Sequence, residues 1–582
     1  MMIDRSVMQK AIPFPAGWMI GLVGAILAAT ALKMGILAVQ AVPFNADEAV
    51  VALMARHILQ GERPLFFYGQ AYMGSLDAFL VAAVFKLFGT EVWGIRFVQI
   101  LLYSGTLLTT AWLGKSISGK WQVGVIAAWL LAIPTVSMTL YTTVSMGGYG
   151  EMLLIGNLVL LLTVSISREA NYQDSGIRSI KWLGLGFLSG FGLWVFGLTL
   201  VYSVPAAVFL AVQSIRRKSP STESNKGNLD LINEASTKSF RSHSTRIQAG
   251  SWGLLLAGGV IGALPWLVYA INKGFSVLLV ELGGGAIAGV ESVSLAGQIV
   301  RHGLKLGLFG TTVILGLRPS WEIRWLGLPL APLVLSFWGL VIDYAVKKTI
   351  QDLRSGVGSR DFSFSPLLSG LVIVLLTGFI FSPFGADPSG RYFLPISVVM
   401  SLFAAQAVWH WQARWGKAMV IAVCLVLLFN LWGTVQSIGK KLPGVTTQID
   451  AVTQIDHSYD QELIAFLHSQ GEEFGYTNYW VAYPMAFLSN EELVFIPRLP
   501  YHPDLRYTSR DDRYEPYQQS VADAAKAAYI TTKNPLLDEK LRSEFERLGV
   551  EWNEKIIGDY QVYYGLSEKI EPGSIGLGAD EG

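Results

Sequence analysis

The chain has few charges and almost no cysteine. Only 15% of its 582 residues are charged and 52% are hydrophobic, whereas about 25% of a typical soluble domain is charged. The single cysteine, Cys424, lies in an apolar run, so the sequence has neither a disulfide framework nor a cysteine-based zinc site. The formal net charge of +1 gives no overall attraction to nucleic acid. These shortages argue against an ordinary cytosolic enzyme, a redox protein and a nucleic-acid-binding protein.

The few charges are unevenly distributed. Residues 1–439 contain 31 basic and 19 acidic side chains, a net charge of +12, and residues 440–582 contain 13 and 24, a net charge of −11. This division predicts a membrane domain over 1–439 and a different environment for the remainder. Alternating helix and strand patterns over 440–570, including a strand over 474–480 and a helix over 535–548, predict a small α/β domain. Gly and acidic residues dominate 571–582, which predicts a disordered tail.

Long apolar runs predict about eleven membrane-spanning helices, because a bilayer core about 30 Å thick needs about 20 apolar residues per helix. The run over 182–212 would be about 46 Å long as one helix, so it is interpreted as a hairpin of two. The predicted spans are 17–39, 93–113, 121–136, 147–166, two within 182–212, 252–271, 325–346, 367–384, 393–409 and 419–432. No internal repeat is evident.

The distribution of Lys and Arg predicts the orientation of these spans. With the N-terminus in the cytoplasm, the inner segments hold 20 Lys and Arg and the outer loops hold 9, as the positive-inside rule requires. The C-terminal domain then lies outside a multi-pass protein of the plasma (cell inner) membrane. The segment 300–317 either lies on the outer surface or crosses. The surface interpretation is preferred because it keeps Lys347 and Lys348 inside.

The loop after the first span carries two acids close to the membrane. Asp47 and Glu48 come first, and the amphipathic stretches 49–60 and 75–88 follow, with residues 61–74 between them. Amphipathic helices lie along the bilayer surface. Charged groups near hydrocarbon are costly and usually functional, so this loop is the first candidate for a site.

Three elements of the sequence resemble the C-type integral membrane glycosyltransferases, in particular the branch of protein mannosyltransferases and lipid A aminoarabinose transferases. They are the acidic pair after span one, the element Tyr68-Gly69-Gln70-Ala71-Tyr72-Met73-Gly74, and the run from Lys86-Leu87-Phe88-Gly89 to Arg96. Arg391-Tyr392-Phe393-Leu394-Pro395 is similar to a further motif of the family. The resemblance in the layout of spans and loops covers about 440 residues, whereas the matched motifs cover about 60.

The resemblance implies a polytopic helical fold, a lipid-phosphate-linked sugar donor and a catalytic acid in the first outer loop. That role falls on Asp47, with Glu48 completing the pair and Glu151 as a second acid at the outer end of the fourth span. A carboxylate would take the proton of the acceptor hydroxyl. A guanidinium would stabilise the phosphate that leaves.

The remaining candidates follow from the same chemistry. The donor phosphate would contact Arg391 first, with Arg56, Arg63 and Lys86 behind it. Sugar or acceptor contacts are expected from Tyr68, Gln70, Tyr72 and Tyr392. Asp47 and Glu151 could also hold a divalent cation, although the sequence does not say that a metal binds.

The function expected from the sequence is a hexosyl- or pentosyltransferase that uses a polyprenyl monophosphate donor and an extracytoplasmic acceptor, either protein, lipid or envelope glycan. Structural alternatives remain open for the residues: helix capping for Asp47, Glu48 and Glu151, an ion pair with Asp387 for Arg391, and an interfacial belt for the aromatics. A transporter or flippase for a lipid-linked sugar and a non-catalytic receptor are the alternative functions.

Overall fold

The structure is a computed structural model that describes residues 16–168, 175–216, 250–284, 294–355, 363–387, 389–438, 444–449, 452–502 and 504–578. Up to residue 438 it is almost entirely helical. Its helices are α1 Ala16–Ala38, α2 Ala46–Gln60, α3 Leu76–Phe88, α4 Val92–Ser118, α5 Trp121–Ala132, α6 Val136–Tyr141, α7 Tyr149–Arg168, α8 Ser175–Val195, α9 Leu200–Arg216, α10 Gly250–Gly262, α11 Leu264–Lys273, α12 Phe275–Leu282, α13 Leu295–Lys305, α14 Thr311–Ile314, α15 Ala331–Ser355, α16 Ser365–Phe381, α17 Leu394–Trp415 and α18 Lys417–Ile438. A two-stranded antiparallel hairpin, β1 Phe66–Phe67 and β2 Gln70–Gly74, interrupts the first loop.

Each predicted span contains a helix. Within the described residues, six helices are long and apolar enough to cross a membrane, namely α1, α4, α7, α9, α17 and α18. For α9 and α17 the span includes the short turn that precedes the helix. The pair α10 and α11 passes only as one span, with a bend of 63° at Pro265, which lacks the amide hydrogen a continuous helix needs. Helices α5 and α16 are apolar but shorter. The protein is therefore a multi-pass membrane protein, and the count of eleven stays a prediction.

The predicted hairpin over 182–212 is present as two helices. Helix α8 ends at Val195, a single 3₁₀ turn spans Gly197–Thr199, and α9 returns from Leu200. The outward faces of the bundle are apolar: the side chains of Leu27, Ile421 and Leu428 are between 50% and 63% exposed. Exposed apolar side chains on long helices are expected where the helices face lipid.

Loops from distant parts of the chain meet at one end of the bundle, which we call the site end. Trp194 Nε1 donates to Leu65 O (2.8 Å), and Asn430 Nδ2 donates to Ile133 O (2.9 Å). The segment with α13 and α14 also lies here, because His302 contacts the backbone oxygen of Ile380 in the last turn of α16 and Lys305 donates to Ala386 O just beyond that helix. These contacts favour the surface interpretation of 300–317.

The C-terminal part is an α/β domain. Its helices are α19 Asp460–Gln470, α20 Tyr479–Leu488, α21 Glu515–Asp523 and α22 Pro535–Leu548, and its strands are β3 Phe474–Thr477, β4 Val494–Pro497, β5 Ala528–Thr532, β6 Asn553–Ile557 and β7 Tyr560–Tyr564. The sheet order is β4-β3-β5-β7-β6. Strands β3, β4 and β5 are parallel, and β7 is antiparallel to both β5 and β6.

Two details differ from expectation. Residues 571–578 of the predicted tail are packed rather than disordered, because Ile575 and Leu577 are buried; residues 579–582 lie outside the described part. The domain division at 439/440 stays a prediction, since α18 ends at Ile438 while the apolar core that contains α2 continues into α20 of the C-terminal domain. This shared core attaches the C-terminal domain to the first loop.

Candidate active site

Asp47 lies at the start of α2 with its carboxylate directed at the C-terminal domain. Asn45 caps the helix, since its side chain accepts from Glu48 N (3.1 Å), so the Asp47 carboxylate is not used as the cap. Tyr479 donates its hydroxyl hydrogen to Asp47 Oδ1 (2.6 Å). Arg513 Nη1 is 3.8 Å from the same oxygen. The side chain is 17% exposed, which leaves it accessible to a small reactant.

Glu48 does not share this environment. Arg96 holds its carboxylate at both oxygens, with Nε to Oε1 at 3.1 Å and Nη2 to Oε2 at 3.0 Å. The Glu48 side chain is fully buried. Successive residues of a helix point about 100° apart, so the acidic pair is divided between two surroundings. The structure therefore places Glu48 in a structural ion pair rather than beside Asp47.

Glu151 is buried in the first turn of α7, where it faces Asp77 of α3 rather than Asp47. Asp77 Oδ1 accepts from Gln99 Nε2 (3.0 Å) and Oδ2 accepts from the Ser145 hydroxyl. Burial raises the pKa of Asp77 to about 6, in spite of the hydrogen bonds it accepts. The second predicted acid thus belongs to a buried carboxyl pair beneath the first loop.

Arg391 begins the 3₁₀ turn that precedes α17 and is paired with Asp387, as the structural alternative predicted. Arg391 Nε and Asp387 Oδ2 are 2.6 Å apart. Tyr72 of β2 connects this pair with Asp47. Burial raises the pKa of Tyr72, and the positive charges of both Arg391 and Arg513 lower it, so both cations act on its hydroxyl. The negative charge of Asp47 raises the pKa of the same hydroxyl. The electrostatic effects of Asp47, Arg391 and Arg513 therefore overlap at Tyr72.

An apolar cavity of about 230 Å³ begins at Tyr72 and Tyr392. Its walls come from α9, α16 and the segment at Phe196, with Leu375 and Phe379 among the lining side chains. Gln70 accepts the hydroxyl hydrogen of Tyr72 (3.2 Å) at the polar end. The arrangement provides an apolar space that ends at charged groups. Of the expected sugar or acceptor contacts, Gln70, Tyr72 and Tyr392 lie here.

Tyr68 and Arg56 lie elsewhere, in an interdomain cluster that we call the latch. It consists of Arg56, His57, Glu62 and Tyr68 of the first loop with Glu491, Tyr514 and Tyr517 of the C-terminal domain. Arg56 Nη1 is 3.3 Å from Glu491 Oε2, and His57 Nε2 is 2.8 Å from Glu491 Oε1. Tyr68 and Tyr514 each donate to Glu62 at 2.6 Å.

The other predicted phosphate ligands are also outside the site. Arg63 donates to the backbone oxygens of Ile58 (3.1 Å) and Glu62 (2.6 Å). Lys86 is exposed in the last turn of α3. Of the four expected cations, the structure brings only Arg391 to Tyr72. The others were selected because they share a loop with Asp47, and proximity in sequence does not fix the direction of a side chain.

Tyr479, Asp511 and Arg513 were missed as site residues, and all three belong to the C-terminal domain. Arg513 lies over the rings of Tyr479 (4.4 Å) and Phe67 (5.5 Å). Burial raises the pKa of Asp511 to about 7, against the opposing effect of Arg513. The only sequence signal was the aromatic run around Tyr479, since nothing local marks Arg513 as a partner of a residue more than 460 positions earlier.

A metal centre is not evident in the part of the chain that the structure describes, which has no group of three or more His, Cys, Asp or Glu side chains placed to hold an ion. Asp47 and Glu151 face different partners, Arg513 and Asp77 respectively. The pair suggested for a divalent cation is therefore not assembled here.

Comparison with solved structures identifies the fold. The chain is similar to ArnT from Cupriavidus metallidurans in the apo state, with a TM-score of 0.54 and 9% identity over 94% of this chain and 98% of that one. The same protein bound to undecaprenyl phosphate gives 0.51 and 10% over the same shares. The oligosaccharyltransferase of Archaeoglobus fulgidus, in complex with Zn and sulfate, gives 0.50 and 15% over 88% and 67%.

Comparisons at the level of sequence add no relative: neither a protein-family model nor a curated protein matches the chain. At 9–15% identity the structural likeness concerns the arrangement of the backbone, and it spans the membrane helices together with the C-terminal domain. The resemblance found in the sequence is confirmed at this level. The chain has the fold of the C-type membrane glycosyltransferases.

Proposed function

We propose that the protein is an integral membrane glycosyltransferase that moves a sugar from a polyprenyl monophosphate to an acceptor on the extracytoplasmic side. The observation that carries the proposal is the position of Tyr72. The charges of Asp47, Arg391 and Arg513 all act on the pKa of its hydroxyl, which lies at the polar end of an apolar cavity. A base, a cation for a phosphate and a space for a lipid tail are thus combined in one place.

Each group has a defined part in the reaction. The Asp47 carboxylate takes the proton of the acceptor hydroxyl while the acceptor oxygen forms its bond to the anomeric carbon. The bond between that carbon and the phosphate oxygen breaks, and both of its electrons leave with the polyprenyl phosphate. Arg391 stabilises the charge on the departing oxygen. Attack from the face opposite the phosphate inverts the anomeric centre.

The class of donor is supported by two independent features. ArnT, which shares the fold, has been crystallised with undecaprenyl phosphate. In this chain the cavity wall at Leu375 and Phe379 is apolar, whereas Arg391, next to Tyr392 at its end, is cationic. A long isoprenoid with one anionic phosphate matches that distribution of polarity. A hexosyl or a pentosyl group would both satisfy the proposal.

The decisive experiment measures transfer without a membrane barrier. The full chain is solubilised in detergent with envelope extract, and release of polyprenyl phosphate from lipid-linked sugar is followed by mass spectrometry. Asp47→Asn should abolish release, and Asp504→Asn, a substitution at an exposed carboxylate 64% accessible in its side chain, should not. Arg391→Lys should retain more activity than Arg391→Ala. A flippase would show no activity in detergent, and full release by Asp47→Asn would reject Asp47 as base.

A further inference from the structure

Arg513 is a buried cation, and two of its side-chain nitrogens have no hydrogen-bond partner within the described residues. Its side chain is only 7% exposed. Within the described residues its Nε and Nη1 make no hydrogen bond, and Asp47 Oδ1, at 3.8 Å from Nη1, is too far to accept one. A buried donor without an acceptor lowers the stability of the fold, and more so when the group is charged. Such a cost persists in a fold when a ligand supplies the acceptor.

The position of this guanidinium is fixed from several directions. The backbone N–H of Arg513 donates to the Tyr483 hydroxyl (2.7 Å). The hairpin of the first loop presses on the other side at Gly69, whose φ is +71°, where a Cβ would lie 2.8 Å from Arg513 Cγ. The rings of Tyr479 and Phe67 also pack on the guanidinium, so the side chain is held against the site. The N–H groups that lack an acceptor are therefore held in the site and cannot turn to solvent.

We infer that Arg513 binds an oxyanion of the substrate, a phosphate or a carboxylate, beside Asp47. A guanidinium presents parallel N–H donors in the geometry that these groups accept. The inference rests on the proposed function and adds a second cationic contact, supplied by the C-terminal domain, to the one at Arg391. No other residue of that domain places an unpartnered charged donor against Asp47 in the described part of the chain.

The oxyanion can come from either substrate. In an inverting displacement the leaving phosphate and the base lie on opposite faces of the anomeric carbon, so a cation beside the base faces the acceptor. Arg513 is next to Asp47, whereas Arg391 is next to Tyr392 at the end of the cavity. This geometry favours an acidic group on the acceptor, and the donor phosphate is the other source.

The test measures binding, with probes for both sources, on the purified full chain in lipid nanodiscs. Undecaprenyl phosphate reports on the donor, and sn-glycerol 1-phosphate and glucuronate, added with that lipid at saturation, report on the acceptor. Arg513→Gln is compared with Arg513→Lys and with Arg506→Gln, a substitution in the same loop where the side chain is 44% exposed. Thermal melting checks that all variants are folded, and Arg513→Lys keeps the charge if Arg513→Gln does not fold.

Loss of a charge-assisted contact should weaken binding about tenfold or more. Weaker binding of glycerol phosphate or glucuronate by Arg513→Gln, with Arg513→Lys intermediate and Arg506→Gln unchanged, assigns the acceptor. Weaker binding of undecaprenyl phosphate by Arg513→Gln assigns the contact of Arg513 to the donor phosphate. Equal affinities of Arg513→Gln and wild type for every probe that wild type binds would overturn the inference while leaving the proposed function intact. A wild-type chain that binds no undecaprenyl phosphate would instead count against the proposed function.

Discussion

At the residue scale, the acidic pair shows how two adjacent residues of a helix, which point about 100° apart, come to face different partners. Asp47 faces Tyr479 and Arg513, whereas Glu48 is fully buried against Arg96. The carboxylate of Glu48 therefore attaches α2 to α4, whereas the carboxylate of Asp47 is the base in the proposed reaction. Only the partners distinguish them, and those partners come from opposite ends of the chain.

Asp511 makes the stability of the site dependent on pH. It is faced by Arg513, Asp47, Asp512 and Tyr501, and burial raises its pKa to about 7 from an ordinary value of about 3.9. Because the folded state holds this proton more tightly than the unfolded state, stability falls as pH rises from about 4 through 7.

Asp511→Asn should remove that dependence. The variant should melt at a higher temperature than wild type at pH 8, by an amount equivalent to at most about 4 kcal/mol, and the difference should shrink towards pH 5. Thermal melting between pH 5 and 8 measures it, with Asp504→Asn as the exposed control. A difference that stays constant across this range would contradict the assigned protonation.

At the scale of elements, the latch joins α2 to the helices of the C-terminal domain. Burial alone would raise the pKa of Glu491, but hydrogen bonds from His57 and Tyr517 outweigh it and lower the pKa to about 2. A carboxylate with a depressed pKa stabilises the fold above its unfolded value of about 4.3, and that contribution is lost as pH falls towards 2.

Glu491→Gln should therefore destabilise the protein by about 3 kcal/mol at pH 7, since Arg56 and His57 lose their common partner. The neighbouring Glu492→Gln, at a side chain 69% exposed, should have little effect. Melting of both variants at pH 7 and pH 4 checks the expectation. Equal stability of the two variants at pH 7 would show that the latch contributes nothing.

The apolar cavity can be tested through α16. Gly378 lines it, and a Cβ there would meet no atom within 4 Å. Gly378→Phe should fill the space that the lipid tail occupies. At about 0.8 kcal/mol per methylene, displacement of two methylenes should raise the KM for the donor about tenfold, with kcat unchanged.

Gly339→Phe on α15 is the matched control, because it adds the same side chain at an open position away from the cavity. Steady-state kinetics with varied donor concentration separates the two parameters. An unchanged KM in Gly378→Phe would show that the tail lies elsewhere.

The sequence was most informative where local chemistry decides the structure. Helix α22 is found at the predicted bounds 535–548, since Asn534 caps its start and Gly549 ends it in a left-handed conformation. The predicted strand 474–480 is too long at its C-terminal end, because Asn478 caps α20 and Tyr479 is already the first residue of that helix. Arg513 could not be predicted, as its role depends on packing between segments hundreds of residues apart.

At the scale of the whole molecule, the distribution of charge and the parity of the helices predict the same topology. The site end holds the first loop and the C-terminal domain, whereas Lys347, in the second half of α15, is 76% exposed towards the opposite end. The positive-inside rule places that opposite end in the cytoplasm. Asp47 and Arg391 then share the outer side.

Labelling of single cysteines tests the orientation. In a Cys424→Ser background, Lys86→Cys and Glu568→Cys, both at exposed positions, should react with a membrane-impermeant maleimide from the outer side. Lys347→Cys should react only after permeabilisation. Labelling of Lys86→Cys and Glu568→Cys from opposite sides of the membrane would show that the first loop and the C-terminal domain cannot form a common site.

The contact between Tyr479 and Asp47 spans 432 residues, and Arg513 lies later still. A ribosome therefore completes the described membrane helices, the last of which ends at Ile438, before it adds these residues of the site. A nascent chain or a prematurely terminated product can be inserted in the bilayer and still be inert. Under the proposed function, catalysis would begin only once the C-terminal domain rests on the first loop, so an incomplete chain could not consume lipid-linked sugar.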